Sequence, residues 1–181
     1  MDKARVQRLI RELIVELGED PTREGLKKTP ERVANMYDEI YCGYNSNSDL
    51  SLKFSENSNV VIAKDIQFYS MCEHHMLPFF GKTTIVYHPD KKVFGISKLI
   101  RLVEKYSRRL QIQERLTNDI ANELYGHNVR GVIVIINAEH LCMRMRGVKN
   151  ESKLTTITRR GIYEDDQENI TSMIRRSAYD F

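Results

Sequence analysis

The sequence predicts an α+β fold in which a helical N-terminal region precedes a mostly antiparallel sheet covered by two helices. Three observations lead there. Apolar residues recur at helical spacing before residue 43, short runs rich in β-branched and aromatic residues follow, and two further helical patterns interrupt those runs.

Val6, Leu9, Ile10, Leu13, Ile14 and Leu17 repeat every three or four positions up to Gly18, which predicts a first helix closed by a left-handed glycine. Thr29 before Pro30 reads as an N-cap followed by proline at the first helical position. The helix it opens turns Val33, Met36, Tyr37, Ile40 and Tyr41 inward and stops at Gly43. Residues 44–59 are rich in Asn and Ser without periodicity, an irregular surface connection rather than a domain boundary. Strands are expected over 60–63, 66–69, 83–87 and 132–136, and helices over about 97–109, with Ser97 as N-cap, and about 113–125. No repeat or low-complexity tract breaks the pattern. The expected organisation is one domain over residues 1–181, with a helical region over about 1–43 and a sheet core over 59–181.

Composition narrows the function classes. A chain of 181 residues can bury one substantial core. Its 28 basic residues against 25 acidic ones are too balanced to argue for nucleic acid or an anionic membrane surface. The longest apolar run, 132–136, is far too short to span a bilayer, and Met1-Asp2-Lys3 does not open a signal peptide, so a cytoplasmic protein is expected. Three cysteines cannot pair completely, and Cys72 and Cys142 both lie near histidines, which favours reduced metal-ligating thiols over a disulfide framework. Cys42, at the end of an apolar helix, reads as a small buried side chain.

The chemistry gathers in two places. Met71-Cys-Glu-His-His-Met76 contains Cys72-x-x-His75, a spacing that lets one turn of backbone present two ligands to a single ion. Cys142, in His140-Leu-Cys142, supplies a third ligand, and if the preceding strand continues through this segment His140 and Cys142 share a face. Three protein ligands leave a fourth position for water, the signature of a catalytic zinc site rather than a closed structural one. His74 and His140 are then left over, either to shuttle protons near neutral pH or to close the site as a fourth ligand. His88 and His127 sit in turn-like sequence and are expected to face solvent.

Lys98, Arg101, Lys105 and Arg108 form one stripe of the helix that follows Gly95, opposite Leu99, Leu102, Val103 and Tyr106. Such a stripe is either an ordinary solvated face or, with a metal site and Arg146, the binding surface for a phosphorylated substrate. Glu114, after Gln113 at the start of the next helix, either answers the helix dipole or offers two acceptor oxygens to the paired N–H donors of a guanine edge.

These residues together resemble the GTP cyclohydrolase I family. The carriers are Thr-Pro-Glu-Arg-Val at 29–33, Ser-Met-Cys-Glu-His-His at 70–75, Gly-Ile-Ser-Lys at 95–98, Gln-Ile-Gln-Glu-Arg-Leu at 111–116 and His-Leu-Cys-Met-Arg-Met-Arg-Gly at 140–147. The resemblance implies a Zn2+ held by Cys72, His75 and Cys142, and hydrolytic opening of the guanine imidazole ring of GTP. Formate leaves, and the remainder recloses as 7,8-dihydroneopterin triphosphate, the first step towards tetrahydrofolate and other pterins. It implies that His74 and His140 transfer protons, that Glu114 and Gln113 grip the guanine, and that Ser97, Lys98, Arg101, Arg146 and Arg32 surround the ribose and triphosphate. It further implies the tunnelling fold and a homodecamer with pockets at subunit interfaces. One segment departs from the family pattern: Leu154-Thr-Thr-Ile-Thr158 runs into Arg159-Arg160-Gly161 where small residues usually precede the glycine. The chain enters its first helix almost at once, so the regulatory extension of animal members is not expected. Two rivals stand beside this reading: a tunnelling-fold relative acting on another pterin or a deazaguanine through a nucleophilic cysteine, and a non-catalytic zinc-stabilised oligomer. The intact ligand triad argues against the first and the two spare histidines against the second.

Overall fold

The computed structural model describes residues 1–46, 50, 53–56 and 58–164. The parts of the expected connection and sheet core at 47–49, 51–52, 57 and 165–181 lie outside the described residues. The chain forms two compact units, Met1–Ser46 and Asn47–Phe181.

In the first unit α1 spans Lys3–Glu16, with the Asp2 carboxylate accepting the Arg5 N–H at 2.9 Å as its N-cap. Gly18 closes it at φ +83°, where an L side chain would be strained. Helix α2 spans Thr29–Ile40 and its cap residue is Lys28, so Thr29 is the first helical residue rather than the N-cap; its hydroxyl turns back towards the Gly25 carbonyl at 3.5 Å. Pro30 sits in the first turn, where its missing N–H costs nothing. Gly43 does not stop the chain's helical path, because a 3₁₀ turn over Cys42–Asn45 carries it onward. That turn buries Gly43 and leaves Cys42 exposed, against the expectation of a buried thiol. A further difference lies in the apolar stripes. Ile14 and Ala34 are buried, but Leu9, Leu13, Leu17 and Met36 are between 45 % and 72 % exposed, since α1 and α2 pack mainly on each other and leave part of each apolar face uncovered.

The second unit is built on a sheet of order β5-β2-β3-β6-β7. Strand β2 (Val61–Cys72) joins the runs expected at 60–63 and 66–69 into one, through a bulge between Ala63 and Ile66 at which Asp65 adopts φ +59°. Strands β3 (Pro78–Pro89), β6 (Val129–His140) and β7 (Leu154–Gly161) continue the sheet antiparallel, and β5 (Leu110–Gln111) adds a short parallel pairing at Met71 and Cys72. Strands β1 (Lys53–Ser55) and β4 (Lys92–Phe94) pair as a separate ribbon. The segment that departs from the family pattern, 154–161, is thus a regular strand paired along β6. Gly81 is needed where β3 meets β6, because a Cβ there would lie 2.0 Å from the Asn137 carbonyl oxygen.

Two helices, α3 (Ile96–Ser107) and α4 (Gln113–Tyr125), pack over this sheet. They bury Leu99, Leu102, Val103, Leu116, Ile120 and Leu124 against Phe68, Ile85, Tyr87, Val132, Val134 and Ile136, each worth about 1.5–3 kcal/mol in apolar transfer. The cap of α3 is Gly95, whose carbonyl accepts the Lys98 N–H at 2.9 Å, so Ser97 lies inside the helix and is not its N-cap. His88 and His127 are half-buried rather than solvent-facing: Arg130 lies 3.2 Å from His88 Nε2, and His127 meets the Phe94 ring at an edge. Among the described residues no helix is long and apolar enough to cross a membrane.

Candidate metal and catalytic site

The tight turn between β2 and β3 carries the first two ligands. The Cys72 N–H bonds the Leu77 carbonyl and the Met76 N–H bonds the Cys72 carbonyl, both at 2.8 Å, with Met76 at φ +52° closing the turn. This folds His75 back over Cys72, leaving Cys72 Sγ 3.9 Å from His75 Nδ1. The third ligand arrives differently from the expectation. Strand β6 ends at His140 and the chain turns into a short helix, α5 (Leu141–Arg144), so Cys142 does not share a strand face with His140. The helical turn still delivers its sulfur: ligand atoms of Cys72, His75 and Cys142 lie within 4.8 Å of one another. Two soft sulfurs and one imidazole are the donor set of zinc-type sites, so the residues present fit such an ion. Burial raises the Cys142 thiol above its ordinary pKa, and Cys72 beside it raises it further, as expected for sulfurs crowded together before a cation neutralises them.

The turn is tied from outside. The Glu73 N–H bonds the Gln111 carbonyl at 3.0 Å, and the Glu73 carboxylate takes both Arg115 guanidinium nitrogens, which holds its pKa below the usual carboxylate range. Sequence reading missed this pair, whose partners are 42 positions apart. Arg144 similarly clamps Glu139 at 2.9 Å and Glu151 at 3.1 Å around the Cys142 segment.

Both spare histidines are at this end. His74 is exposed, with Nδ1 3.8 Å from Cys72 Sγ. His140 is half-buried beneath Phe79, whose ring stacks parallel at 4.7 Å, and its Nε2 lies 2.8 Å from Gln113 Oε1. Burial pushes the His140 imidazole below its ordinary pKa, against the smaller opposite pull of the Glu114 carboxylate. Glu114 is exposed on the first turn of α4. Gln113 beside it points the other way, 1 % exposed, with its amide among buried groups. Arg146 reaches the cluster, Nη1 2.6 Å from His75 Nε2.

The basic stripe is divided. Helix α3 delivers its C-terminal end to the metal site, since β5 follows it and pairs with Cys72, and Ser70 Oγ contacts the Arg109 carbonyl at 3.5 Å. Along the helix axis Ser97 and Lys98 lie roughly 15 Å, and Arg101 roughly 9 Å, from Ser107 at that C-terminal end. Lys105 is engaged by Glu123 at 2.6 Å, with the Tyr106 hydroxyl on the same carboxylate. Arg32 is exposed on α2 of the first unit.

Comparison with known proteins shows the family. Residues 6–177 match the model of the family described as GTP cyclohydrolase I. The chain is 48% identical over 173 residues to "GTP cyclohydrolase 1" of Clostridium kluyveri, covering 93% of this chain and 94% of that protein. It is 50% identical over 171 residues to the enzyme of that name from Finegoldia magna, covering 92% and 93%, and 47% identical over 184 residues to that of Streptococcus agalactiae, covering 97% and 98%. In structure it resembles the apo archaeosine synthase QueF-Like, with a TM-score of 0.50 at 17% identity over 59% of this chain and 97% of that one, a likeness of fold alone. The curled sheet with its covering helices is the tunnelling fold, and the chain belongs to the GTP cyclohydrolase I family.

Proposed function

We propose that this chain opens the imidazole ring of GTP at a zinc ion held by Cys72, His75 and Cys142, releasing formate and yielding 7,8-dihydroneopterin triphosphate. The observation that carries this reading is the convergence of those three ligands within 4.8 Å in a member of this family. Zinc held there supplies the Lewis acidity that makes water a nucleophile near neutral pH.

The remaining roles belong to the chain itself. His140, half-buried with its pKa lowered by burial, accepts and returns a proton beside the ligands, and exposed His74 exchanges protons with solvent. Glu114 turns its two acceptor oxygens to the ring N–H and amino group of guanine, which orients the base. Arg146, at the edge of the cluster, meets the anionic end of the substrate. Ser97, Lys98, Arg101 and Arg32 complete the triphosphate site. Ser97 and Lys98 stand at the end of α3 opposite the one tied to the ligand turn, with Arg101 midway, so we assign them to the site of a neighbouring copy, in keeping with a homodecamer with shared pockets. The sheet edges support it too: among the described residues β5 pairs with β2 only at Met71 and Cys72, and β7 ends the sheet order. One domain containing both the helical region and the sheet core, acting in the cytoplasm, is part of the same proposal.

The test is metal content and turnover measured together. Wild-type protein should hold about one zinc per chain; Cys142→Ser should lose zinc and GTP turnover in parallel, whereas His74→Ala should keep zinc and lose turnover by about 100-fold or more. Full turnover in metal-free Cys142→Ser protein would overturn the assignment.

A further inference from the structure

Gln113 is the first residue of α4, 1 % exposed, and its amide is enclosed by acceptors on one side and by His140 on the other. Its Nε2 lies 2.9 Å from the Leu154 carbonyl, 3.0 Å from the Ile136 carbonyl and 3.2 Å from Thr156 Oγ1. Main-chain carbonyl oxygens only accept, so the amide group facing them must be the NH₂, and the group facing His140 must be the oxygen. An amide oxygen cannot donate. The hydrogen in the 2.8 Å contact between Gln113 Oε1 and His140 Nε2 therefore belongs to the histidine.

The surrounding hydroxyls lock the same direction. Thr117 Oγ1 donates to the Gln113 main-chain carbonyl at 2.7 Å, so in its 2.6 Å contact with Thr156 it is the acceptor and Thr156 the donor. The Thr156 hydroxyl thus has only a lone pair to offer Gln113, which again calls for an NH₂ on that side. Phe79 stacked flat on the imidazole holds the ring plane while the amide selects the nitrogen.

We propose that Gln113 is a positioning residue that holds His140 as the Nε2–H tautomer, so that Nδ1 is the nitrogen exchanging protons in the reaction. This rests on the reading of His140 as a proton-transfer group. It also gives Gln113 a role different from gripping guanine: it is directed inward and acts on substrate only through His140. A tautomer held before substrate arrives removes a reorganisation step from the proton transfer.

Neutron diffraction from crystals of the zinc-loaded wild-type protein in D₂O at mildly alkaline pH reads the arrangement directly. The expected map has deuterium on His140 Nε2 pointing at Gln113 Oε1, and the Gln113 ND₂ on the Ile136 and Leu154 carbonyls. A bare Nε2, or a reversed amide, would overturn the proposal. In kinetics, Gln113→Met, which keeps the volume and removes the amide, should lower kcat for GTP about 10- to 100-fold with KM within about twofold and zinc retained. A raised KM with kcat unchanged would make Gln113 a substrate contact and overturn its positioning role. The diffraction result does not depend on turnover. A fully active His140→Ala variant would therefore remove the catalytic reading of His140 and leave the tautomer to be judged by the deuterium alone.

Discussion

Gln113 and Glu114 are adjacent, yet one is fully buried and the other exposed at the start of the same helix. Their identity and the helix start were legible in the sequence, because 113–125 has clear helical periodicity. The inward turn of Gln113 was not, since it is dictated by carbonyls of Ile136 and Leu154, 23 and 41 positions away. Cys42 shows the same limit: its exposure follows from a 3₁₀ turn that local hydrophobicity does not announce. Tyr41 beside it supports a prediction at this scale. Its hydroxyl is buried with no hydrogen-bond partner among the described residues, and its pKa is pushed up to about 12, by burial first and then by Tyr37 and Tyr44. The folded pKa lies above the unfolded value of 10.0, so the folded state holds the proton more tightly; stability is unaffected below pH 10 and falls as pH rises from 10 towards 12. Tyr41→Phe should be neutral to about 1 kcal/mol stabilising near neutral pH and should flatten that alkaline fall. Denaturant melts of both proteins across the window check it, and parallel curves would contradict it.

At the scale of elements, the long signals were legible and the short ones were not. The cores of β2, β3 and β6 and the bodies of α3 and α4 follow from β-branched runs and helical spacing. Strands β1, β4 and β5 have two or three residues each, too few to show any period, and β7 alternates too little in polarity to stand out. The boundary of β6 mattered most. Its end at His140 replaced an expected strand with a helical turn, and the triad survived because that turn still carries Cys142 to Cys72. The β3–β6 pairing holds both parts of the site together, and Gly81 is its tightest point. Gly81→Ala would drive a methyl into the Asn137 carbonyl, so it is expected to cost several kcal/mol and to lower Tm by more than 10 °C or prevent folding. Thermal unfolding checks this, and a Tm within about 2 °C of wild type would contradict the described register.

At the scale of the whole molecule, one chain brings together the Cys72–His75–Cys142 cluster, His74, His140, Glu114 and Arg146, and sets Ser97 and Lys98 at the opposite end of α3. Motif spacing shows that these groups coexist but not which end of the sheet each occupies; strand pairing and helix direction decide that. The exposed apolar residues Leu9, Leu13, Leu17 and Tyr69 are surface that the proposed assembly would cover. Light scattering on the purified protein should give about 210 kDa, ten times the 21.2 kDa chain, and a monomer at micromolar concentration would contradict the shared-pocket account. The most direct test of the central claim is to incubate purified, zinc-loaded protein with GTP and assay formate together with the fluorescent neopterin obtained after oxidation and dephosphorylation. Equal amounts of both products are predicted, falling together when zinc is chelated; folded, zinc-loaded protein that yields neither would contradict it.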